Sequence, residues 1–203
     1  TDQTRDSFAK ALEDPDCPSA VNIQFARFLC EQGAASGPNP PNPFPGWDEA
    51  AFRDEPEAFA YRAWLSGESM PSVVKVLPLS IKNHPGALII LAQAALQPYL
   101  VSHPISGKEG ASNPPLSDSK NQEIQTARVL LRQAGRIAAS QPEWIATRGL
   151  LALVNNQPDR ARDYFATGLQ SESPACNAAF HERMAHILMA FNRLDDAILH
   201  YQK

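Results

Sequence analysis

The chain has little with which to cross-link itself. Cysteine occurs three times in 203 residues, at Cys17, Cys30 and Cys176. No two of these form a C-x-x-C pair, and an odd number cannot all be bridged within one chain, which excludes a disulfide-stapled miniprotein. Inert free thiols are the expectation, with a Cys17–Cys30 bridge open in an oxidising compartment. Glycine is scarce at 10, and 43% of the residues are hydrophobic, so a collagen-like or disordered chain is excluded as well. Like charges form no run, although the formal net charge is −4. This argues against a nucleic-acid-binding domain, which should carry a basic face, and against a polybasic membrane anchor. The longest mostly apolar stretch, Ala87 to Leu96, is about half of what a bilayer crossing needs and contains Gln93, so it reads as a buried helix and no membrane insertion is expected. No N-x-S/T sequon occurs, and no charged segment followed by an apolar one opens the chain at Thr1, so the expectation is a signal peptide absent or already removed or, equally, a chain excised from a longer protein. The compartment is left open between cytoplasm and periplasm.

Proline is abundant, with 18 residues. Position decides whether it disorders the chain or punctuates it. Pro56, Pro71, Pro85, Pro142, Pro158 and Pro174 each stand at or just before the first turn of a segment with apolar residues at helical spacing, where the missing N–H costs nothing. There is no period-two alternation. An all-α protein is predicted, with helices over Thr4–Glu13, Ser19–Gln32, Trp47–Arg53, Glu57–Glu68, Pro71–Lys82, Gly86–Leu100, Asn121–Ser140, Pro142–Asn155, Asp159–Gln170, Asn177–Phe191 and Leu194 onwards. Pro78 should kink or split the fifth of these. Two stretches break the pattern. Gly33–Gly46 reads GAASGPNPPNPFPG, extended by its five prolines, and His103–Ser119 reads HPISGKEGASNPPLSDS, a loop that ends in the capping box of Ser119 and Gln122. Residues 34–46 and 103–119 are therefore insertions into a single helical domain spanning 1–203.

Self-similarity appears in the C-terminal third. Gly149 matches Ala185, Asn156 matches Asn192, Ala161 matches Ala197 and Phe165 matches Tyr201, each at an offset of 36 residues. Gly149 with Ala161, Phe165, Gly168 and Leu169, closed by Pro174, resembles the tetratricopeptide repeat, and Ala185, Ala197 and Tyr201 carry the resemblance into the next unit. Small residues let two helices approach, and the aromatic fills the gap toward the following unit. The match is good over Gln141–Lys203, moderate over Gly86–Ser140 and weak before that. The resemblance implies an α-solenoid of antiparallel helix pairs wound as a right-handed superhelix, and the chain is expected to be a segment of a longer array whose uncapped terminal repeat would allow self-association.

It also implies a concave groove lined by the first helix of each unit. That groove would present Gln93, Leu96 and Gln97, then Leu150, Leu153 and Val154, then Glu182, His186 and Met189 to a protein or peptide partner. These positions supply no Lys, Arg and Asn cluster of the kind that holds a terminal carboxylate, so partner binding with weak salt dependence is expected. Apolar residues at this spacing also suit a plain core. The alternative function is a structural arm of a larger enzyme or secretion assembly, its groove filled by its own chain. No enzyme, cofactor or metal is expected. His181, Glu182 and His186 miss the zinc-protease spacing by one residue, which sets the two rings roughly 140° apart around a helix. No Ser-His-acid grouping stands out, and Gly107-Lys108 lacks the upstream glycine of a phosphate loop.

Overall fold

A computed structural model describes residues 2–14, 17–31, 42–102, 118–155 and 157–169, together with the single positions 181, 185, 195, 198 and 202. Among these residues there is helix and no strand. The helices are α1 (Asp2–Ala11), α2 (Ser19–Glu31), α3 (Glu49–Asp54), α4 (Pro56–Leu65), α5 (Met70–Lys75), α6 (Leu79–Lys82), α7 (Pro85–Ser102), α8 (Asp118–Ala138), α9 (Pro142–Val154) and α10 (Pro158–Leu169). Proline opens α4, α7, α9 and α10, as its fixed φ and absent donor favour. Pro78 divides the predicted 71–82 helix in two and becomes the cap of α6. Pro98 does not break α7, which runs on to Ser102. Helix α4 stops short of the predicted Glu68 because Gly67 adopts φ +68°, a conformation open to glycine at no steric cost. Pro174 and the predicted helices beyond α10 lie outside the described residues, apart from helical positions 181, 185, 195 and 198.

Three side-chain bonds fix how the helices run. The Ser19 hydroxyl at the start of α2 donates to Glu55 Oε1, the residue before α4, at 3.1 Å. Trp64 Nε1, near the end of α4, donates to Gln97 Oε1 near the end of α7. Gln93 Nε2, midway along α7, donates to Thr147 Oγ1, midway along α9, at 3.0 Å. The first two bonds join start to start and end to end, so α2, α4 and α7 run the same way, and the third sets α9 beside α7 at mid-length; the turn of three residues from α8 to α9, with α8 antiparallel to α7, gives α9 the same direction. A second layer covers the row: α8 packs on α7 and α9 and touches α5, while α10 packs on α9. Gln133, near the end of α8, donates to the Lys82 carbonyl just before α7, so those two helices are antiparallel. The short connection from α9 to α10 makes that pair antiparallel too.

The core runs between the two layers. In α7 every residue from Ala87 to Leu96 is buried, because α4, α5, α6, α8 and α9 surround the helix. That is why the longest apolar stretch of the chain sits here, and no helix among the described residues is long and apolar enough to cross a membrane. At the opposite end, the last residues of the proline-rich stretch close over α2. Phe44 is buried with Trp47 and Phe52 in an aromatic cluster, and the buried Asn22 donates to the Pro43 carbonyl at 2.7 Å. Residues 32–41 of that stretch, and residues 103–117 of the second insertion, lie outside the described residues. On the surface of α3 and α4, Arg62 grips Glu49 through both carboxylate oxygens and lies over the Phe52 ring, and its guanidinium holds the Glu49 carboxyl below the usual range. Cys17 and Cys30 are free thiols, so the bridge between them is not formed.

Glu143, in the first turn of α9, gives the fold a pH dependence. Burial pushes its carboxyl above the ordinary 4.5, and nearby Glu57 adds to this, while its backbone contact and Arg27 work in the opposite direction. The folded chain therefore holds this proton more tightly than the unfolded chain. The stability it contributes is fully present below pH 4.5 and is lost as pH rises through the raised folded value. Glu143→Gln should remove that slope. In thermal melts at a series of pH values the variant should match or exceed the native protein near neutrality, with the difference shrinking as pH falls. A constant difference would assign the pH dependence to other groups.

Candidate functional site

The described members of the expected groove are not on an open surface. Gln93, Leu96, Leu150, Leu153 and Val154 are all buried, Leu96 and Leu150 completely, and Gln97 is half-buried. The first-helix face implied by the resemblance is packed against its neighbours, and its polar members serve as internal links: Gln97 receives the Trp64 N–H and Gln93 binds Thr147. Glu182, His186 and Met189 lie outside the described residues. His181 is buried, and no group of three metal-ligating side chains occurs among the described residues.

A different site is formed where α8, α9 and α10 meet. There a cleft of about 620 Å³ is lined by Arg128, Arg132 and Arg136 of α8, Arg148 of α9 and Arg160 of α10. Among the described residues no carboxylate and no lysine lines it. Three of these arginines come from one sequence pattern, a spacing of four that puts them on one face of α8. The other two are brought in by packing. A screen for consecutive like charges passes over both sources, and so the sequence suggested that no basic face exists; α8 carries one.

Two small residues set the packing at and behind the cleft, Gly135 in its lining and Gly149 between α9 and α10. A methyl group at Gly135 would lie 2.8 Å from the Trp144 ring, so glycine lets that ring lie directly across α8. Trp144 is then locked by its Nε1, which donates to the Leu131 carbonyl at 2.8 Å. Gly149 does the same one layer on: a methyl there would lie 2.2 Å from the Phe165 ring, so its absence lets α10 close on α9. Gly149, marked in the sequence as a small residue where two helices approach, meets Phe165, the aromatic expected to fill the gap toward the following unit. Trp144 and Tyr164 meet edge to face beside Arg148, whose guanidinium lies 5.5 Å and 5.3 Å from their ring centres.

The arginines are positioned by neutral groups. Arg148 donates through Nε and Nη2 to the Tyr164 hydroxyl, at 3.1 and 2.7 Å. Arg128 donates to Asn155 Oδ1 at 2.9 Å and to Gln125 Oε1 at 3.2 Å, and Arg160 donates to Gln157 Oε1 at 3.3 Å. Arg132 and Arg136 are exposed and have no hydrogen bond or ion pair among the described residues. Among the described residues, the partners that orient these three guanidinium groups are neutral. No family model, curated protein or solved structure matches the chain. Five guanidinium groups line one cavity, with no carboxylate among the described lining residues, a chemistry suited to anionic oxygens.

Proposed function

We propose that the chain is a helical-repeat scaffold of the tetratricopeptide kind, not an enzyme, and that it holds an acidic segment of a partner protein in the cleft between α8, α9 and α10. The row of parallel first helices with a covering second layer, and the small-residue crossing at Gly149, support the solenoid of antiparallel pairs. The observation that carries the choice of surface is the arginine lining with no carboxylate. A protein segment suits it better than a nucleic acid. On α8, Val129 and Ile137 are 54% and 71% exposed beside Arg132 and Arg136, giving a face of mixed apolar and basic character. The Trp144 ring, half-buried and bonded through its N–H, is poorly placed to stack on a base.

Binding should be strongly salt-dependent, in contrast to the weak dependence expected for the apolar groove. Raising ionic strength from about 0.01 M to about 0.15 M shortens the screening length from roughly 30 Å to roughly 8 Å, and should lower the affinity for an acidic peptide by about tenfold. Fluorescence anisotropy with a labelled Glu-rich peptide measures this directly. Salt-independent binding, or equal binding of a Lys-rich peptide, would refute the cleft as the partner site.

A second reading has its own observation. Pro43 and Phe44, at the end of the proline-rich insertion, are buried against α2 and tied there by Asn22. Occupation of the stack by its own chain is what a structural arm of a larger assembly would show, and it favours that role for the α2 end.

A further inference from the structure

Resting on the proposed acidic partner, we infer that the cleft recognises a phosphorylated side chain on that segment, not merely its carboxylates. The charge count points this way. A carboxylate brings one negative charge and two oxygens, whereas a phosphorylated serine brings about −1.5 to −2 and three strong acceptor oxygens. Five guanidinium groups around one cavity far exceed what a single carboxylate can satisfy.

The hydrogen-bond pattern points the same way. The Tyr164 oxygen accepts from Arg148 twice, so its own O–H proton is left to donate elsewhere, and a phenol so polarised is a stronger donor. Arg148 and Tyr164 together offer a fixed pair of donors at the cleft wall. Arg132 and Arg136, exposed and unpaired among the described residues, stand one turn apart on α8 and supply forks that can close on the remaining oxygens. Neutral buttressing is the feature that a solvated basic surface lacks: it fixes donors in place while keeping their full charge for a ligand.

The test uses three labelled peptides of one acidic sequence whose central residue is phosphoserine, glutamate or serine, each titrated into the whole chain by anisotropy. The phosphoserine peptide should bind roughly tenfold or more tighter than the glutamate peptide, the worth of one additional charge-assisted hydrogen bond. Arg148→Gln should bring that ratio close to one. Tyr164→Phe, which keeps the ring and removes the hydroxyl, should weaken phosphoserine-peptide binding more than glutamate-peptide binding and so lower the ratio, a split that a purely structural role would not produce. Circular dichroism on both variants verifies that they fold. If the glutamate and phosphoserine peptides bind equally, this inference fails and the acidic-partner proposal stands. If none of the three binds, both fail. Tighter binding of an unstructured oligothymidylate than of the phosphopeptide, or displacement of the phosphopeptide by equimolar pyrophosphate, would also overturn it, in favour of a nucleic acid or a free polyanion respectively.

Discussion

Reversing two charges, in Arg132→Glu with Arg136→Glu, is expected to weaken binding of an acidic phosphopeptide by at least about a hundredfold. Each hydrogen bond to a charged group contributes about 1.5 to 3 kcal/mol, so losing two corresponds to a hundredfold or more, before adding the repulsion of two new carboxylates. Both side chains are exposed, and neither makes a hydrogen bond or ion pair among the described residues, so the fold should survive unchanged. The paired control is Arg53→Glu with Lys75→Glu, which changes net charge by the same amount on α3 and α5, away from the cleft. Isothermal titration of both double variants separates local contact from overall charge. An equal loss in the two would mean that the cleft arginines act only as part of a diffuse field.

The largest effect on stability should come from Gly149→Leu. Even the first carbon of that side chain would fall 2.2 Å from the Phe165 ring, and Phe165 is itself buried, so neither group can turn aside into solvent. Helices α9 and α10 would be forced apart at a cost of about 3 kcal/mol, at the upper end for overpacking. Urea unfolding should show a lower midpoint with little change in slope. Combining Gly149→Ala with Phe165→Leu should recover most of what Gly149→Ala alone loses, because the smaller side chain opens the space the methyl needs. Failure of that rescue would place the strain elsewhere than at this crossing.

Helix content and boundaries were legible because proline fixes them through elementary geometry: Pro56, Pro85, Pro142 and Pro158 open helices, and Pro78 splits one. Gly149 was legible as a small residue at a helix crossing, but its partner was not: Phe165 lies against Gly149 itself, where the repeat spacing alone had set it toward the following unit. The groove residues were harder. Leu96 and Leu150 show the same periodicity whether a helix faces a partner or another helix, and α7 turned out to be enclosed on all sides. Part of the arginine cleft was open to view in the spacing of Arg128, Arg132 and Arg136. Arg148 and Arg160 were not, because only the packing of α9 and α10 on α8 converts separate charges into one cavity.

The uneven distribution of charge has a consequence for how a partner arrives. The chain carries a formal net charge of −4, so with five positive charges gathered in the cleft the remainder stands at −9. A net negative charge at long range with a local cluster of arginines would repel an anion from a distance and attract it at the cleft, and such a field favours encounters in one orientation. Weak long-range repulsion and strong local attraction together give the cleft a directional selectivity that neither the net charge nor the arginines alone would provide.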